Sequence, residues 1–222
     1  MRAILVPTGT HGRVLVRDTP APRGLLVGFH GYMENAQIQM DRLTGIPGAD
    51  EWTIISVQAL NRFYRGRSED VVAGWMTRQD REAAIEDNIE YVNCVIEAVD
   101  PGRLRIVYAG FSQGVAMAFR AAVRGSRAPN PGSTRVNTGP SAVIAVGGDV
   151  PPELLDDASV TFPAVLLARG ARDDWYTAGK FEADLAALTE RGGAVEPLSY
   201  DGAHEWTSEI STAAGRLLAR QP

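Results

Sequence analysis

The chain has a single cysteine, Cys94, in 222 residues, which excludes an intramolecular disulfide and suits a reducing compartment. Its setting, Asn93-Cys94-Val95-Ile96, is helical, so the thiol is expected to be packed and inert. Histidine is nearly as scarce: there are three, His11, His30 and His204. Neither they nor Cys94 have the spacing of metal ligands, so no metal is expected, and no cofactor. Positive charge is in deficit, and a net charge of −5 argues against a nucleic-acid partner. Lysine is absent but for Lys180, every other cation being arginine, which reads as coding bias without functional content. Long apolar runs are missing too: nothing approaches the roughly 18 residues of a membrane span. The N-terminal run Ile4-Leu5-Val6 is shorter than a signal-peptide core of about 7–15 residues. The expectation is a cytoplasmic protein without integral membrane association.

What is present is ordinary for a globular protein, with 45% apolar and 22% charged residues. The length suits one domain over residues 1–222, large enough to bury a core without staples. Short alternating stretches at 3–6 and 13–17 flank Pro7-Thr8-Gly9-Thr10-His11-Gly12 and predict an antiparallel hairpin. Leu25-Leu26-Val27-Gly28-Phe29 is a continuous apolar run, as in a strand buried on both faces. A helix is expected over 34–43 and a strand over 52–57. The stripe Ile85, Ile89, Val92, Ile96 and Val99 predicts a helix over 81–99, closed by Pro101-Gly102. Strands follow at 104–109, 142–146, 164–168 and 195–200, with helices at 113–123, 178–191 and 208–218. Strands alternating with helices after an opening hairpin imply an α/β fold: a mostly parallel central sheet with helices on both faces. The Pro/Gly/Ser/Asn-rich stretch 125–140 reads as a surface loop. Residues 58–80 read as a long irregular segment, a lid or pocket loop.

Gly110-Phe111-Ser112-Gln113-Gly114 joins a strand to a helix through a turn with serine at its tip. So tight a turn strains the serine backbone and admits only small residues two positions away on either side. A serine hydroxyl needs a neighbouring base to act as a nucleophile. His204, in Tyr200-Asp201-Gly202-Ala203-His204, follows a strand at the edge where catalytic groups of open α/β sheets gather. His11 belongs to the hairpin turn and is set aside. The base needs a carboxylate to hold its ring, and Gly170-Ala171-Arg172-Asp173-Asp174 offers Asp173 and Asp174 after another strand. The order serine, aspartate, histidine is that of the α/β-hydrolases. Acyl transfer also needs oxyanion donors: the backbone N–H of Gln113 and, since Gly31 allows close approach, that of Tyr32.

Four segments together resemble the phospholipase/carboxylesterase branch of the α/β-hydrolases, which includes bacterial carboxylesterases and acyl-protein thioesterases. They are Phe29-His30-Gly31, Gly110-Phe111-Ser112-Gln113-Gly114, Gly170-x-x-Asp173 and Tyr200-x-Gly202-x-His204, and they span most of the chain. The resemblance selects Asp173 over Asp174 as the triad acid and implies an oxyanion donor at Tyr32. Members often carry Leu-Gly-Asp after the His-Gly pair, where this chain has Tyr32-Met33-Glu34. The stretch 62–67 matches no assigned pattern, and both departures bear on the substrate.

The expected activity is hydrolysis of small-molecule carboxylic esters through an acyl-enzyme on Ser112, His204 and Asp173. Thioesterase or lysophospholipase action on the same triad is the alternative, ahead of amidase or peptidase action and of a non-catalytic binder with the same fold. Phe63, Tyr64, Trp75 and Met76 are candidate pocket walls, or pins for a long loop. Gly148, with Gly147, ends a strand where a substrate could approach. Arg62, Arg65 and Arg67 could meet an anionic substrate or form a solvated face with Glu69 and Asp70. Short helical surfaces are compatible with a homodimer, though no feature demands one.

Overall fold

The central strands are largely apolar on both faces, and the chain resolves this by building one sheet between two helical layers. The structure, a computed structural model, describes residues 2–99, 105–124 and 142–221. The main sheet contains β1 (Arg13–Arg17), β2 (Leu25–Phe29), β3 (Thr53–Gln58), β6 (Ile106–Phe111), β7 (Ala142–Val146), β8 (Ala164–Gly170) and β9 (Val195–Tyr200). Its order is β1-β3-β2-β6-β7-β8-β9. All neighbours pair in parallel except β1 and β3, which are antiparallel.

Alternation divides the core. Val27, Phe29, Ile55, Tyr108 and Val143 point to one face, and Leu26, Ile54, Val107, Ile144 and Leu166 to the other. The first face is covered by α2 (Arg81–Val99) and α3 (Gln113–Arg124), with Leu188 of α5 (Ala178–Glu190). The second is covered by α1 (Ala36–Thr44) and α6 (Ser208–Ala219). Burying one Val, Leu or Ile side chain is worth about 1.5–3 kcal/mol, so the alternating pattern fixes which way each strand faces. On α2 the stripe Ile85, Ile89, Val92 and Ile96 is buried. Two helices start on side-chain caps: Asn35 accepts from the N–H groups of Gln37 and Ile38, and Thr207 from that of Ile210.

Several expectations need correction. Residues 3–6 form no strand and lie exposed, so the opening hairpin does not exist. The antiparallel partner of β1 is β3. Pro7 lacks a ladder donor, whereas β3 offers a fully buried edge that β1 covers over its whole length. The segment 58–80 is not irregular: it holds a second, two-stranded sheet, β4 (Asn61–Tyr64) with β5 (Val71–Gly74). Its alternation is hard to read because β4 lies mostly exposed and carries Asn61 and Arg62. Cys94 is exposed rather than packed, since it falls opposite the stripe of Val92 and Ile96 at about 100° per residue. A short helix, α4 (Pro152–Asp156), was not anticipated. The loop expected at 125–140 and the break at Pro101-Gly102 lie outside the described residues.

Candidate active site

Ser112 stands at the carboxyl end of β6 with φ of +52°, a left-handed conformation that costs a non-glycine residue on the order of 1–3 kcal/mol. The surroundings enforce it. Ser112 N–H donates to the Val146 carbonyl (2.9 Å), and its own carbonyl accepts from Val115 N–H (3.0 Å). The flanking glycines leave no room for a side chain: a Cβ at Gly110 would strike the Gly114 carbonyl, and one at Gly114 the Phe29 carbonyl. A Cβ at Gly148 would strike the carbonyl of Ser112 itself. The turn is therefore locked between β2, β7 and the first turn of α3.

Asp173 and His204 follow β8 and β9, two strands paired up to Gly170 and Tyr200. Their loops are tied together: Ala171 N–H donates to the Tyr200 carbonyl and Arg172 N–H to that of Gly202. The Asp173 carboxylate is fully buried. Its Oδ1 accepts from Trp175 N–H (2.8 Å) and Tyr176 N–H (2.9 Å), and its Oδ2 accepts from His204 Nδ1–H (2.8 Å). A carboxylate can only accept, so this bond leaves Nε2 of His204 as the free, basic nitrogen. Asp174 is exposed. Tyr200 pins the His204 loop, its hydroxyl donating to the Glu205 carbonyl (2.6 Å). Burial, reinforced by nearby Asp173, pushes the Tyr200 phenol up to about 12. Gly147, at φ +65°, passes so close that a Cβ there would meet the His204 ring at 3.2 Å.

His30 has both ring nitrogens engaged. It is fully buried, donating from Nδ1 to the Gly31 carbonyl (2.6 Å) and accepting at Nε2 from Ala59 N–H (3.1 Å). Burial holds its pKa below the ordinary histidine value. Trp75 stacks beside it and donates from Nε1 to the His30 carbonyl (2.8 Å). The loop that follows is shaped by Glu34, whose Oε2 accepts from Gly31 N–H (2.7 Å). Met33 N–H donates to the Ala73 carbonyl, while Tyr32 N–H has no hydrogen-bond partner among the described residues. Gln113 N–H, at the first position of α3, is one of the donors that a helix leaves unpaired. Its side chain grips the end of β5, accepting from Trp75 N–H (2.8 Å) and donating to the Met76 carbonyl (3.0 Å).

A further chain of contacts links the Glu34 loop to His204. Arg42 on α1 forms a two-pronged pair with Glu34, both bonds 2.6 Å. Its guanidinium carbon lies 4.1 Å from the centre of the Phe111 ring, and that ring is 5.0 Å from the His204 ring.

Ser112 and His204 share a cleft of about 490 Å³ with Gln113, Met76 and Gly148. Of the other residues considered for the pocket, Trp75 is buried behind the His30 loop, and Phe63 stacks on Tyr32. Tyr64 points to solvent at 66% exposure. None of these three lines the cleft. Arg62 and Arg65 instead bind the carbonyls of His11 and Met33. The cleft contains groups not foreseen from the sequence: Arg81, Arg120, Tyr176, Lys180 and Asp184. Tyr176 OH and Val150 N–H both donate to Asp184 Oδ2 (2.9 and 3.0 Å), and burial raises the pKa of Asp184 and of Tyr176. Arg120 was visible as the one charge in Val115-Ala116-Met117-Ala118-Phe119-Arg120-Ala121-Ala122-Val123, two turns from Ser112.

No family model matches the chain, and no curated protein matches it. Solved structures do. The acyl-protein thioesterase 2 of Zea mays superposes with a TM-score of 0.71 at 19% identity, over 94% of this chain and 98% of that one. Esterase PE8 gives 0.67 at 23% identity, over 94% and 97%, and the Bacillus cereus carboxylesterase 0.69 at 15%, over 94% of each. The chain shares the α/β-hydrolase fold of these solved structures.

Proposed function

We propose that the chain is a serine hydrolase that cleaves carboxylic esters through an acyl-enzyme. The observation that carries this reading is the fully buried Asp173 carboxylate holding His204 Nδ1 at 2.8 Å, in one cleft with a serine at φ +52°. In this scheme Ser112 Oγ attacks the acyl carbon and passes its proton to His204 Nε2. Asp173 fixes the ring and stabilises the imidazolium. The carbonyl oxygen becomes an oxyanion facing the N–H groups of Tyr32 and Gln113, each donor worth about 2.7–4 kcal/mol. His204 then protonates the departing alcohol. Water, deprotonated by the same nitrogen, attacks the acyl-enzyme and releases the acid. No step calls on a metal or cofactor. The name of the maize neighbour supports thioesters as a second substrate class, since the same steps expel a thiol.

The test is hydrolysis of p-nitrophenyl esters from acetate to decanoate by the wild type and by Ser112→Ala, with fluorophosphonate labelling alongside. The reading expects turnover in the wild type, a fall of roughly 10⁴-fold in the variant, and a label on Ser112. Equal feeble rates and no label on Ser112 would overturn it.

A further inference from the structure

Resting on that hydrolase reading, we infer that the substrate carries a carboxylate on its acyl chain, held by Arg120. The argument begins with position. Ala116 and Arg120 lie one and two turns along α3 from the Ser112 elbow, on one helix face, and all three line the same cleft. Eight residues at about 1.5 Å each separate Ser112 from Arg120 by about 12 Å along the helix, and helical side chains slant back toward the N-terminus, shortening that gap. Ala116 is small and leaves the space between them open.

The charge is built in rather than incidental. The Arg120 side chain is 1% exposed, whereas its partner Glu153 is 48% exposed. Nε and NH2 both turn to one oxygen of Glu153, each at 2.7 Å. The remaining nitrogen, NH1, has only the Met76 sulfur at 3.4 Å among the described residues, and a thioether is a weak acceptor. A guanidinium with an underused side inside a cleft is suited to a carboxylate. Arg81 adds positive charge at the exposed lining, whereas the charge of Lys180 is paired with Asp149 at 3.1 Å. Two carboxylates line the cleft as well: Asp149 is paired with Lys180, and Asp184 has a raised pKa and two donors on one oxygen. A long alkyl chain would have to desolvate these groups without pairing them.

The experiment compares p-nitrophenyl mono-esters of adipic and pimelic acids, each with a free terminal carboxylate, against neutral p-nitrophenyl esters of equal chain length. In the wild type the inference expects the carboxylate to raise kcat/KM by about tenfold or more, chiefly through KM, as a charge-assisted hydrogen bond would. Added salt should shrink the share of that preference contributed by the exposed Arg81. In Arg120→Met the ratio within each pair should fall toward one. Because Arg120 is buried and that variant could fail to fold, Arg81→Gln and the salt series on the wild type provide independent readings, each expected to lower the ratio. Equal or faster turnover of the neutral esters by the wild type would overturn the inference and leave the hydrolase reading standing. A preference that survives in folded Arg120→Met would overturn the assignment to Arg120. Absence of turnover on every ester, with no fluorophosphonate label on Ser112, would remove the underlying reading and the inference with it.

Discussion

His30 carries no proton for catalysis, yet its protonation state matters to the fold. Its Nε2 accepts the Ala59 N–H and its Nδ1 donates to Gly31, so a second ring proton would leave a donor facing a donor. In the unfolded chain a histidine takes up that proton as pH falls through about 6.5, whereas the buried ring resists it, its pKa lying lower. Between the two values the unfolded state binds more protons, so stability rises with pH. The His30 contribution is therefore fully present above about 6.5 and is lost as pH falls toward the depressed value. Urea unfolding at pH 7.5 and pH 5.5 should show the wild type losing more stability on acidification than His30→Asn does. Equal losses in the two proteins would refute this role. At this scale the sequence located Ser112, Asp173 and His204 at strand ends within motifs, and the structure has them beyond the ends of β6, β8 and β9. The sequence marked Arg120 only as a lone charge and gave no sign of its burial or of Asp184, because a helical side chain's burial depends on which other elements pack over it.

The loop between β2 and α1 and the helix α1 itself act as one support. Glu34 binds the Gly31 N–H, Arg42 grips Glu34 from α1, and Phe111 passes that contact to His204. The pair is only partly exposed, at 15% and 18% of its side chains, so solvent screens it incompletely. Under the proposed mechanism Glu34 is a positioning residue, and Glu34→Gln should lower kcat by about tenfold while leaving KM within about threefold. Arg42→Lys, which keeps the charge but loses the two-pronged grip and the stacking, should do the same. If kcat holds in both variants while only the melting temperature drops, the pair merely stabilises the fold. Most elements were legible from periodicity, and α2 was expected over the same residues that form it. The failed hairpin at 3–6 has a different origin: a strand-like pattern does not name its partner, and β1 found more apolar surface to cover on β3.

For the molecule as a whole, the proposed reacting groups hang from strands that no local segment can assemble. β6 pairs with β2, placing Leu25 beside Ile106, and β8 lies between β7 and β9. The α/β class could be read from alternation alone, but the strand order could not, since parallel neighbours are chosen by packing over long separations. Pairings of that kind close large loops before they gain contacts, which makes them slow. On dilution from denaturant, far-UV circular dichroism should therefore recover ahead of ester hydrolysis. Coincident recovery of the two signals would argue against this order. His204 lies beyond the last strand and Ser112 beyond the fourth in sheet order, so under the proposed mechanism hydrolysis serves as a clock whose first tick marks the seating of β9.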